Sequence, residues 1–110
     1  IFNDWIFSLY ISQLIAADAV HQVFAGRNPT QAIPAALSLF PNATPQQKGG
    51  AADLSYGTLR FYGEIDAYLS QLLEKPLTDE RIHAILLVAI YQLLHDKADA
   101  FTVVNQAVHA

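Results

Sequence analysis

The chain has 110 residues, 53% hydrophobic and 15% charged, which fits one domain and is the reverse of a disordered composition. The absence of cysteine excludes disulfide scaffolds, cysteine-ligated zinc and thiol catalysis. Six basic and ten acidic side chains leave a net charge of −4, so there is no basic nucleic-acid footprint at whole-chain level and any such contact must be local.

The punctuation predicts helices throughout. Asn3 or Asp4 caps a first helix whose apolar positions include Ile6, Tyr10, Leu14, Ala17, Val20 and Phe24, and Gly26 stops it. Asn28 or Thr30 caps a second, shorter helix with Pro29 in its first turn, Ile33, Leu37 and Phe40 on its inner face, and Pro41 at its end. Pro34 falls within the first turn or just beyond it, where its missing N–H costs little. Thr44-Pro45-Gln46-Gln47 is a capping box, opening a helix that can run to Glu74 with Leu54, Thr58, Phe61, Ile65, Leu69 and Leu72 as its stripe. Gly57 and Gly63 each cost about 1 kcal/mol relative to Ala. They predict a kink or split near Gly63, or else a close approach by another helix. Thr78 is the expected cap of the next helix, with Asp79 and Glu80 in its first turn. That helix is apolar nearly all round from Ile82 to Leu94. It is therefore expected at the centre of the fold, with Leu86, Ala89, Ile90 and Leu93 buried. Asp99 caps a last helix, Ala100 to His109. Five or six helices with short Pro/Asn/Gly turns and no apolar–polar alternation make an all-α domain.

The apolar runs Trp5 to Ala17 and Ala84 to Leu94 are both shorter than the roughly 20 residues of a membrane span. No basic n-region marks a secretory signal. A mean hydropathy of +0.24 implies a dense core or apolar surface left for a partner. There is no methionine even at position 1, so a fragment of a longer protein is expected.

Catalytic signals are missing. His21, His83, His95 and His109 show no metal-ligand spacing, so hydrogen-bonded or solvent-edge histidines are expected and no metal. There is no nucleophile elbow, phosphate loop or Rossmann glycine pattern. Asp66 is either a buried acid or, more in keeping with its propensity, a cap for the second half of the long helix. Tyr56, Arg60 and Tyr62, with Lys48 upstream, suit stacking and phosphate contact with unpaired RNA. The ordinary alternative is an amphipathic boundary with aromatic bodies inward and polar tips wet.

Three segments, taken together, resemble a known family. They are A-A-D-A-V-H-Q-V-F-A-G (Ala16 to Gly26), L-S-Y-G-T-L-R (Leu54 to Arg60) followed by I-D-A-Y-L (Ile65 to Leu69), and L-V-A-I-Y-Q-L-L (Leu87 to Leu94). Their order and spacing resemble the NusB-like RNA-binding domain, most closely the version fused in front of ribosomal RNA cytosine-5 methyltransferases of the RsmB/Sun type. Free NusB antitermination factors usually carry Arg near the position of Leu87 and Glu at that of Gln92; apolar Leu87 and neutral Gln92 match the fused version. The resemblance implies a NusB-like helical bundle over residues 14–110, incomplete at its C-terminal end, without catalytic residues or cofactor. It implies RNA, ribosomal RNA first, as partner, with Lys48, Arg60 and Arg27 supplying phosphate contacts, and a methyltransferase domain elsewhere in a cytoplasmic bacterial protein. A free antitermination factor is the alternative, and a packing scaffold without RNA binding the second. The chain departs from the family in residues 1–13, an apolar extension without Lys or Arg where the family is basic. It also departs at Ala98-Asp99, where proline is usual, and at Asn105, where Glu is common. The extension is expected to lengthen the first helix back to about Asp4 and to pack on its own core or on a second chain as a homodimer. With the family's closing helix missing, an open hydrophobic groove is expected.

Overall fold

The computed structural model describes the backbone of residues 4–95 and the side chains of residues 10–95. Five helices and no strand occur among them: α1 (Asp4–Phe24), α2 (Pro29–Ser38), α3 (Pro45–Arg60), α4 (Tyr62–Leu72) and α5 (Glu80–Leu94). The fold is all-α, as expected. The predicted last helix, Ala100 to His109, lies outside the described residues. No described helix is long and apolar enough to cross a membrane.

The local signals set most boundaries. α1 begins at Asp4 and closes in a Schellman turn: the Gly26 amide donates to the Val23 carbonyl and the Arg27 amide to that of Gln22. Gly26 has φ of 105°, a conformation that favours glycine. Asn28 caps α2, its Oδ1 accepting from the Thr30 amide at 2.9 Å. The Thr44–Gln47 capping box is complete, with the Gln47 amide donating to Thr44 Oγ1 (3.1 Å) and the Thr44 amide to Gln47 Oε1 (2.8 Å). The long helix splits at Phe61, two residues before Gly63.

Two caps fall elsewhere than expected. Asp79, not Thr78, caps α5; its carboxylate accepts from the amides of Arg81 (2.9 Å) and Ile82 (3.2 Å). A charged acceptor reaching two free amides outcompetes the neighbouring hydroxyl. Asp66 is no cap: α4 starts without a side-chain cap, and the Asp66 carboxylate is instead drawn to His83 on α5.

Side-chain pairing fixes the topology. Ser12 Oγ donates to the Gln47 carbonyl, while Ala16 and Val20 pack with Leu54, so α1 and α3 run parallel with α2 as the return. Gln13 pairs with Gln92 and His21 with Glu80, so α5 is antiparallel to α1. Glu64 and Asp66, two residues apart on α4, reach His95 and His83 at opposite ends of α5; α4 therefore crosses α5.

The most extensive packing is that of α1 on α2, α3 and α5; α3 touches every other described helix, and α5 packs on α1, α3 and α4. On α5 the buried side chains are Ala84, Leu87, Val88, Ala89 and Gln92. Of the four expected core residues only Ala89 is buried; Leu86 and Ile90 are half-buried and Leu93 is 38% exposed. A helix apolar on all sides carries no polar face from which its orientation can be read. Gly57 supplies the close approach: a Cβ there would overlap the Tyr91 ring of α5. The next residue of α5, Gln92, forms a buried hydrogen bond of 2.8 Å with Gln13 within the α1–α5 contact. A homodimer through the first segment has no support in the structure.

Candidate nucleic-acid interface

The three basic residues singled out from the sequence are all exposed. Lys48 sits in the first turns of α3 and Arg60 ends that helix. They are about 18 Å apart along the axis and roughly a third of a turn apart around it. Ala52 and Tyr56 fill the intervening i, i+4 positions, and Tyr56 is 53% exposed. Because α1 and α3 are parallel, Arg27, just beyond α1, comes to the same end of the bundle as Arg60. Lys48 is left toward the other end. Helix direction thus sets two of the three toward one end, with no contact between them.

Each arginine also has local work. Arg27 Nη1 donates to Gln22 Oε1 (3.1 Å), and Gln22 Nε2 donates to Asp18 Oδ2 (2.6 Å). The Arg60 guanidinium lies 5.4 Å from the centre of the Phe61 ring, which stacks on His95 at 4.1 Å. Arg60 lies in the last turn of α3 and Arg27 just beyond α1, where a cation offsets the unpaired carbonyls.

The sequence reading missed one component. Phe24 belongs to the apolar stripe of α1, yet it is 37% exposed. Its ring meets Tyr62, itself 36% exposed, edge-on at 5.2 Å, and lies 6.0 Å from the His83 ring. Tyr62 is legible as part of the Tyr/Arg cluster; Phe24 is not, since helical periodicity does not show which rings of other helices a position meets. The Tyr62 phenol is pushed above its ordinary pKa by burial and by the Asp66 carboxylate.

The three described histidines each face a carboxylate on another helix. His83 Nε2 and Asp66 Oδ1 share a hydrogen bond of 2.9 Å, and His21 is 3.4 Å from Glu80. His95 Nε2 lies 3.2 Å from Glu64 Oε1, close enough for an ion pair but not aligned as a hydrogen bond. All three tie one helix to another, and the His83 contact is the hydrogen bond among them. No cluster of three or more potential metal-ligating His, Asp or Glu side chains occurs among the described residues.

An apolar groove of about 580 Å³ opens between α1 and α5. Leu14 and Ala17 line one side, Ile82, Ile85 and Leu86 the other, with Leu39 and Phe40 after α2 at one edge and Arg81 at the rim.

Comparison with known proteins agrees with this architecture. The chain is 31% identical over 99 residues to ribosomal RNA small subunit methyltransferase B of Pseudomonas putida, covering 87% of this chain and 22% of that protein. It is 30% identical over 103 residues to the protein of the same name from Proteus mirabilis, covering 91% and 24%. The probable counterpart of Coxiella burnetii is 33% identical over 76 residues, 67% of this chain and 18% of that protein. The chain spans about a quarter or less of the length of these relatives and matches their N-terminal part. No solved structure matches. The NusB family model matches residues 11–110, and the chain belongs to that family.

Proposed function

We propose that this chain is a non-catalytic RNA-binding domain of a bacterial small-subunit ribosomal RNA methyltransferase, acting in the cytoplasm to help hold substrate RNA or orient a catalytic region. The strongest support is that Arg27 and Arg60, both exposed, lie within three residues along the chain of the partly exposed Phe24–Tyr62 ring pair. Lys48, about 18 Å from Arg60 toward the other end of α3, would supply a separate phosphate contact. The buried neutral pair Gln13–Gln92 favours the methyltransferase-fused version over a free antitermination factor, which usually carries Glu at the position of Gln92.

The test is a titration of fluorescently labelled small-subunit ribosomal RNA hairpins at several salt concentrations. Arg60→Ala, Arg27→Ala and Lys48→Ala are each expected to weaken binding and to flatten the salt dependence by nearly one unit of slope. Unchanged affinity and slope in all three would reject the site.

The α1–α5 groove favours a second reading, in which the domain works by packing on protein rather than RNA. Ile82→Glu and Leu39→Glu, both at exposed positions, should then disrupt association with a methyltransferase region while leaving RNA affinity unchanged.

A further inference from the structure

We infer that, given the RNA-binding reading above, Phe24 and Tyr62 flanked by Arg27 form a stacking site for an unpaired RNA base, and that stacking rather than phosphate contact carries the affinity. Phe24 ends α1 and Tyr62 begins α4, and their rings meet edge-on at 5.2 Å while both remain more than a third exposed. The corner is braced from behind. The His83 ring lies 6.0 Å from Phe24 and is itself pinned by its 2.9 Å hydrogen bond to Asp66. The Schellman turn at Gly26 holds Arg27 beside the corner, and its 3.1 Å bond to Gln22 Oε1 engages only a neutral group, so the guanidinium charge stays available.

The charge distribution decides between stacking and phosphate contact. The chain has six basic side chains and a net charge of −4. Arg81, at the start of α5, lines the α1–α5 groove instead; Arg27, just beyond α1, and Arg60, in the last turn of α3, lie at helix C-termini whose carbonyls oppose an approaching anion. Two phosphate contacts to a single strand give a salt slope of about 1.4, far below that of a phosphate-led binder. An aromatic platform contributes about five- to a hundredfold in affinity per stacked base, whatever the base. A duplex keeps its base faces internal and offers nothing to such a platform. The ligand class is therefore RNA with unpaired bases: a loop, bulge or single-stranded end.

Three labelled RNAs test this on the full chain: a 12-nucleotide oligouridine, the same backbone with abasic sites in place of its bases, and a 12-base-pair duplex. The oligouridine should bind at least tenfold more tightly than the abasic strand and more tightly than the duplex, with a shallow salt slope. Phe24→Leu and Tyr62→Leu, which keep apolar bulk, should each cost roughly fivefold or more without altering the slope, and Phe24→Tyr should restore binding. Equal binding of the abasic and base-bearing strands overturns the proposal and needs no variant, so a Leu variant that fails to fold does not rescue it. Loss of affinity in Arg27→Ala and Arg60→Ala together with unchanged affinity in both Leu variants leaves the RNA-binding reading standing and removes the stacking site. If none of the three RNAs nor a ribosomal RNA hairpin binds, both readings fall.

Discussion

A methyl group on Gly57 would fall within the Tyr91 ring, and that ring is held among Phe61 and His95, so it has little room to yield. Gly57→Ala gains about 1 kcal/mol of helix propensity but forces an overpacked contact typically costing 1–3 kcal/mol. The expected outcome in urea denaturation is a net loss of roughly 1 kcal/mol or more, largely relieved in the double variant with Tyr91→Leu. The buried Gln13–Gln92 pair behaves differently. Gln13 Oε1 already lacks a partner, and Gln92→Ala would also strand its Nε2. That variant should cost about 1–3 kcal/mol, whereas replacing both residues by Leu should be nearly neutral. At Tyr62 the raised phenol pKa means that the fold favours the protonated form. Its stabilising contribution is complete below the ordinary tyrosine range, about pH 10, and is lost as pH rises through the folded value. Absorbance titration near 295 nm should show one tyrosine deprotonating late, and Asp66→Asn should bring it earlier by removing the carboxylate.

Among the helices, the boundaries that could be read from sequence are those written in local chemistry. The Thr44–Gln47 box, the Asn28 cap and the Gly26 stop each depend on a few adjacent residues, and each forms as read. The orientation of α5 depends on what surrounds it and could not be read. Its all-round apolar surface allowed Leu93 as a core residue, while packing on α1 and α3 selects Val88 and packing on Ile65 and Leu69 of α4 selects Leu87. Leu87→Ala should therefore cost about 2–5 kcal/mol, and Leu93→Ala under about 1 kcal/mol, since its side chain is already partly hydrated. Thermal or urea melts of the two variants compare them directly; equal losses would contradict this orientation. Asp66 shows the same limit. Local propensity assigns it a cap, but the crossing of α4 over α5 places a histidine within 2.9 Å of it.

At the scale of the molecule, the parallel pairing of α1 with α3 turns scattered sequence features into a surface. It carries Arg27, Phe24, Arg60 and Tyr62 to one end and leaves Lys48 toward the other, a grouping that linear spacing could not reveal. The Tyr/Arg cluster on the long helix was legible; its completion by Phe24 required the fold. The central claim is that this end of the bundle contacts RNA, and amide chemical-shift mapping of the isotopically labelled chain during titration with a ribosomal RNA hairpin tests it most directly. The account predicts saturable shifts concentrated at the ends of α1 and α3 and at the start of α4, around Phe24, Arg27, Arg60 and Tyr62. Shifts confined to the α1–α5 groove around Leu14, Ile82 and Leu86, or no shifts at all, would contradict it.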